Sequence, residues 1–254
     1  MGFTIAVAGK GGTGKTSLCG LTIRYLTERK RGPVLAVDAD ANTNLHEVLG
    51  VKVHASVGGL REDSLAAVKS TAPRPGGMSM EQLFDYQIQQ AIIEAKGFDL
   101  LVMGRPEGPG CYCAANNIIR KYMDKLADTY PWTVMDNEAG LEHLSRRTTQ
   151  DTDLLLIISD PTVRGVMTGG RIGELVKELN LNVKRSVLIV NRTQDSGTAA
   201  LQQAIERTGV EFAGFVPADD LIFEYDLNGK PLVQLPQDSK ALTGFYGILD
   251  KLLP

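Results

Sequence analysis

The chain has 254 residues, 43% of them hydrophobic, and a formal net charge of −3. That much apolar material supplies a full core and points to one domain spanning residues 1–254. The scattered lysines and arginines argue against a nucleic-acid footprint, and no run approaches the ~18 apolar residues of a membrane span. Three cysteines in a chain this long make no disulfide framework, so the expected setting is the reducing cytoplasm.

Read in chain order, MGFTIAVAGKGG has no basic lead-in and passes at once into a glycine loop, so it reads as a first strand and not a leader. Ala6 stands where a myristoylation signal wants Ser or Thr. Short apolar runs follow at 34–40, 100–104, 132–138, 154–160, 186–192 and 212–217. Their lack of alternation is what strands buried on both faces look like. Helical patterns fall between them, near 15–29, 81–95, 115–128, 140–149, 164–179 and 198–207, with a last one at 239–252. The reading is a doubly wound α/β sheet, mostly parallel, with a loop-like excursion over 51–79 where TAPRPGGMS breaks any helix.

GKGGTGKT at 9–16 lies between the first strand and the first helix, the context a phosphate loop requires. Gly9, Gly11, Gly12 and Gly14 let the backbone wrap with its N–H groups inward, and the helix N-terminus favours negative charge. Lys15 is placed to reach the β- and γ-phosphates, and Thr16 to offer a hydroxyl to Mg²⁺. Thr13 and Ser17 complete the stretch expected to touch ATP or ADP. The loop carries a second lysine, Lys10.

This loop resembles the deviant Walker A motif of the MinD, ParA and nitrogenase-iron-protein superfamily. The resemblance implies a P-loop NTPase fold, and it implies that Lys10 reaches across a homodimer to the partner's nucleotide. It makes Lys10, Lys15 and Asp40 the catalytic candidates, with Asp40 of VDADANTNL orienting the attacking water. Asp38 then supports the magnesium indirectly, and Asp136, ending the strand in VMDNEAG, is the Walker B aspartate. The same resemblance assigns Gly140 to a second switch, and Asn191, Pro217 and Asp219 to the adenine side. Asp can equally cap a helix, and an amide at a strand end can be only a turn residue.

Two of the three cysteines sit one residue apart in GPGCYC, after the 100–104 strand, where α/β folds carry their ligand loops. Cys111 and Cys113 are half a coordination shell. Facing a second copy across a two-fold axis, they complete an S4 site suited to Zn²⁺, an Fe–S cluster or square-planar Ni²⁺. Cys19, inside the first helix, reads as a small buried apolar residue. His46, His54 and His143 share no chelating spacing and are left out.

GKGGTGKT, VDADANTNL, GPGCYC and DNEAGLEHLSRR together resemble the CooC and AcsF group of ATPases. That group assists nickel insertion into carbon monoxide dehydrogenase and acetyl-CoA synthase. By this resemblance Cys111 and Cys113 hold nickel, or zinc in the same site, between subunits, and a nickel enzyme is the client. Ala41 departs from the proline that many relatives carry. Two alternatives stand beside this one. An iron–sulfur carrier like the nitrogenase iron protein needs a second cysteine in the 136–147 segment, which has none. A MinD/ParA-like positioning ATPase wants a basic surface or a basic amphipathic tail. The tail DSKALTGFYGILDKLLP offsets its lysines with Asp238 and Asp250, so it reads as a helix docked on the core.

Overall fold

Eight strands form one sheet in the order β3-β4-β2-β5-β1-β6-β7-β8 in a computed structural model that describes residues 2–29, 31–40, 42–59, 80–104, 125–137, 151–194 and 197–254. The strands are β1 (Phe3–Gly9), β2 (Val34–Asp38), β3 (Ile93–Ala95), β4 (Phe98–Val102), β5 (Trp132–Asp136), β6 (Asp151–Ser159), β7 (Asn182–Thr193) and β8 (Glu211–Pro217). All pairings are parallel except β3 with β4. The helices are α1 (Lys15–Glu28), α2 (Leu45–Leu49), α3 (Met80–Ala91), α4 (Val163–Glu178), α5 (Ala199–Arg207), α6 (Asp220–Leu227) and α7 (Lys240–Leu252). None of the described helices is long and apolar enough to cross a membrane.

Burial on both sheet faces explains the unbroken apolar runs. In β1, Ile5 and Val7 pack with α1 and α7, whereas Ala6 and Ala8 pack with α4 and α5. β6 and β7 divide the same way: Leu156 and Ile189 face the first layer, and Leu155, Ile157 and Leu188 the second. A third cluster joins Leu35, Leu101 and Met135 to Ile88 and Ala91 of α3. Because period-2 alternation separates two buried faces here, it leaves no polar trace in the sequence.

The C-terminal helix is a core element. Leu242, Phe245, Leu249 and Leu252 are buried in the first cluster. Its polar rim is tied to α1, with the Tyr25 hydroxyl donating to Asp250 at 2.6 Å and the Tyr246 hydroxyl to Glu28 at 2.9 Å. Arg24 donates to Glu28 at 2.7 Å and to the Leu235 carbonyl at 2.7 Å.

Several boundaries differ from the sequence reading. The helix expected over 81–95 stops at Ala91, because residues 93–95 turn at Gly97 (φ 89°) and pair back on β4. β4 covers 98–102 and β7 begins at Asn182, which pairs with Asp151 as Val183 does with Thr152, extending the ladder. α2 and α6 were not foreseen: α2 has five residues and α6 buries none, so neither gives a periodic signal. Of the helix expected over 115–128, only residues 125–128 are described, helical over 125–127 and a turn at 128. The helix expected over 140–149 lies outside the described residues.

Truncating Phe245, which is fully buried, is expected to cost about 3–5 kcal/mol. Urea unfolding of Phe245→Ala checks this: the midpoint should drop at an unchanged slope, and an unchanged midpoint would mean that α7 is not part of the cooperative core.

Candidate functional site

The parallel strands deliver β1, β2, β5, β7 and β8 to one sheet edge with their carboxyl ends together, which is where such folds build ligand sites. β1 ends at Gly9, and a Cβ there would lie 2.3 Å from the Ile158 carbonyl oxygen, so only glycine lets the chain leave the sheet at this point. The loop then turns through Gly12 (φ 81°) and Gly14 (φ 90°) into α1. Gly11 and Gly12 are exposed, Thr13 is buried, and Thr16 and Ser17 are half-buried at the helix start.

The two loop lysines behave differently. Lys15 is buried, and its Nζ lies 3.3 Å from the carbonyl oxygen of Lys10. That carbonyl also accepts from the Thr13 hydroxyl at 2.9 Å and, at a long 3.4 Å, from the Thr13 amide. Lys10 itself is exposed. One lysine therefore serves its own loop and the other faces outward.

Asp136 ends β5 in register with Val7 of β1 and Asp38 of β2. Its side chain is 1% exposed, and among the described residues neither carboxylate oxygen meets a hydrogen bond of good geometry, the Thr16 hydroxyl being near enough only to draw its pKa down. Burial pushes its pKa up to about 7, against a downward pull from Thr16, with a further push from Asp38. A buried carboxylate with only a helix-start threonine near it fits a hydrated Mg²⁺, whose charge and waters would supply what the protein does not. Asn137, beside it, is buried too: its Nδ2 donates to the Val7 carbonyl at 3.0 Å, while its Oδ1 has no partner among the described residues. Asn137 escaped the sequence reading, its only signal being its place after the strand-end aspartate.

Asp38 organises the loop after β2. Its Oδ1 accepts from the Asp40 amide and its Oδ2 from the Leu45 amide, both at 3.1 Å. Burial raises its pKa to about 6, partly opposed by those two amides. Asp40 is half-buried and its Oδ1 accepts from the Asn42 amide at 2.8 Å. Between them Thr43 is held at φ 47°, a left-handed setting that strains a β-branched residue.

The residues expected on the adenine side reach the same edge with different duties. Asn191, at the end of β7, donates from Nδ2 to the Thr13 carbonyl at 2.9 Å, and its Oδ1 accepts from the Arg192 amide at 3.0 Å. It braces the phosphate loop, and a Cβ on Gly14 would come within 2.5 Å of that Nδ2. Pro217 ends β8 opposite Thr193. The Asp219 carboxylate is taken up by helix capping: Oδ1 accepts from the Leu221 amide, and Oδ2 from the Ser239 hydroxyl and the Ala241 amide. Arg192, also absent from the sequence reading, donates to the Gly12 carbonyl at 3.1 Å.

A cavity of about 590 Å³ opens beside Thr16 between α2 and the chain after α6, lined by Asn44, His46, Asp226, Lys230 and Pro231 among others. Its size suits a small ligand. Neither His46 nor His54 joins a group of three metal-ligating side chains among the described residues. Cys111, Cys113, Gly140 and His143 lie outside the described residues.

The raised pKa of Asp136 fixes the sign of a stability effect. Between the ordinary carboxylate value and about 7 the native state holds this proton more tightly than the unfolded chain, so ligand-free stability falls as pH rises through that window. At pH 8 the Asp136→Asn variant, which cannot ionise, is expected to be more stable than wild type by about 1–3 kcal/mol, an advantage that shrinks toward pH 4. Thermal melts at both pH values check it, and an Asn variant less stable than wild type at pH 8 would refute the uncompensated charge.

A family model described as the CobQ/CobB/MinD/ParA nucleotide binding domain matches residues 4–232. An uncharacterized ATP-binding protein of Methanocaldococcus jannaschii is 41% identical over 249 residues, 98% of each chain. The carbon monoxide dehydrogenase accessory protein CooC of Rhodospirillum rubrum is 30% identical over 188 residues, 70% of each chain. The septum site-determining protein MinD of Pyrococcus horikoshii, solved with Mg-ADP, superposes with a TM-score of 0.69 at 22% identity, covering 99% of this chain and 96% of that one, a likeness of fold. The chain belongs to the CobQ/CobB/MinD/ParA family and is a nucleotide-binding ATPase domain of that family.

Proposed function

We propose that the chain is an ATP-driven metallochaperone, a homodimer that holds nickel, or zinc in the same place, between two copies through Cys111 and Cys113. Its client is a nickel enzyme, carbon monoxide dehydrogenase or acetyl-CoA synthase, and its setting the cytoplasm. The observation that carries this reading is the C-x-C pair in a chain 30% identical to a carbon monoxide dehydrogenase accessory protein. The segment leaves β4, which runs parallel to β2 and so ends at the same sheet edge as the loop after β2.

The hydrolytic part asks little covalent chemistry of the protein, since phosphoryl transfer depends on positioning and charge neutralisation. Inward amides of the loop and Lys15 hold the β- and γ-phosphates, and Asp40 orients the water that displaces ADP from the γ-phosphate. Thr16 and, through water, Asp136 would hold Mg²⁺, with Asp38 fixing the adjoining loop; when bound, the ion neutralises phosphate charge. Asn191 and the Pro217–Asp219 turn flank the base. The exposed Lys10 is free to enter a partner's site, which makes ATP binding and dimerisation one linked equilibrium. Closure then brings four thiolates together, and hydrolysis releases the metal to the client.

Elemental analysis of the purified protein after nickel loading tests the reading. Wild type is expected to retain about one metal per two chains, as a shared two-fold site requires. Cys111→Ala and Cys113→Ala should lose it while keeping ATP affinity, measured without nickel, within about twofold, since no thiolate–metal bond then contributes to closure. Undiminished nickel in either variant would overturn the proposal, and stoichiometric iron with sulfide would favour the electron-carrier alternative. Membership of a family that includes MinD and ParA favours a second reading, a positioning ATPase. Co-sedimentation with DNA or anionic vesicles separates the two: the chaperone reading expects the protein in the supernatant.

A further inference from the structure

Arg192 combines three features that a surface arginine at a strand end does not need. Its backbone sits at φ 61°, in the left-handed region where glycine or asparagine is at ease and a long side chain is not. It occupies an irregularity in the β7–β8 ladder, where the pairing shifts between Val190 and Thr193. Its guanidinium reaches 180 positions back along the chain to donate to the Gly12 carbonyl at 3.1 Å. Held strain of this kind points toward function when the group it delivers lands on a functional loop.

The landing point has a geometric consequence. In a trans peptide the carbonyl and the N–H of the next residue point in opposite directions. Fixing the Gly12 oxygen therefore turns the Thr13 N–H to the opposite side, where it makes only a long 3.4 Å contact with the Lys10 carbonyl, and fixing the Thr13 oxygen does the same for the Gly14 N–H. β7 supplies both contacts from successive residues, Arg192 to Gly12 and Asn191 to Thr13. The two side chains are coupled, because the Asn191 oxygen accepts the Arg192 amide. On the far side, Asp226 at the end of α6 feels the arginine's charge, which offsets part of the upward push of burial on its carboxyl.

We infer that Arg192 is a positioning residue for the phosphate loop: its bond to the Gly12 carbonyl orients the loop amides that receive the nucleotide's phosphates. It touches no reacting atom. Its contribution is pre-organisation, so its loss weakens nucleotide binding and leaves the chemical step in place. The inference rests on the nucleotide reading of the loop. Because Arg192 acts on the loop and not on ligand charge, ADP and ATP should suffer alike.

The test is isothermal titration with Mg-ADP and with a non-hydrolysable ATP analogue, alongside steady-state ATPase kinetics, on wild type, Arg192→Ala, Arg192→Gly and Arg192→Lys. Wild type must bind both nucleotides; if it does not, the nucleotide reading fails, whatever the variants do. Given that, Arg192→Ala and Arg192→Gly are expected to lose about tenfold in affinity for both nucleotides, the worth of one charge-assisted hydrogen bond. KM should rise with them while kcat stays within about twofold. Arg192→Lys, which keeps a donor for the Gly12 carbonyl, should recover most of the loss. Glycine also relieves the left-handed backbone, so Arg192→Gly should melt no lower than Arg192→Ala, which separates lost binding from lost folding. Wild-type affinity in Arg192→Gly would overturn the inference. So would a fall in kcat at constant KM, or a loss for the ATP analogue much larger than for ADP.

Discussion

Asp136 brings a carboxylate to the end of a parallel sheet where, among the described residues, no donor other than the nearby Thr16 hydroxyl approaches it. Burying an unpaired charge is among the costliest things a fold can do, and proteins ordinarily avoid it by pairing or by protonation. Here the ligand-free protein relies on a raised pKa, with Asp38 as a neighbour in register one strand away. The arrangement makes sense for a site completed from outside, with Thr16 and Lys15 close enough to influence the ionisation of the same carboxylate.

The loop opposite that charge is held from behind by β7. Asn191 and Arg192 take two successive loop carbonyls, while Lys15 and the Thr13 hydroxyl turn toward the carbonyl of Lys10. Lys15, the Thr13 hydroxyl and, at a long 3.4 Å, the Thr13 amide thus converge on one carbonyl. Lys10 presents its backbone to this cluster and its ammonium to solvent, so the residue that caps its own loop is also the one available to a second copy. The segment after β2 is sprung by comparison: Asp38 fastens both ends of the turn, and Thr43 pays with a left-handed backbone.

Local spacing in the sequence makes much of this legible. The phosphate loop is defined by residues within eight positions, and the strands by unbroken apolar runs that follow from burial on two faces. The strand-end aspartates 38 and 136 were readable because the apolar run stops at them. What escaped depends on distant partners. Asn191 carries the expected residue type, but its bond to Thr13 spans 178 positions. Arg192 and Asn137 have no pattern of their own, and the Asp219 carboxylate is occupied by a helix that begins some twenty residues later. α6 has no fully buried residue and only half-buries Leu221, Ile222 and Tyr225, so its eight residues give hydrophobic periodicity little to report.

The central claim is that nucleotide binding and the pairing of two copies are one equilibrium, with Lys10 as the link. Sedimentation velocity with Mg²⁺, comparing ADP with a non-hydrolysable ATP analogue for wild type and Lys10→Ala, tests it most directly. The account predicts a dimer only for wild type with the ATP analogue, and a monomer for Lys10→Ala under every condition although it still binds nucleotide. An association state that ignores the γ-phosphate, or a Lys10→Ala protein that dimerises like wild type, would contradict it.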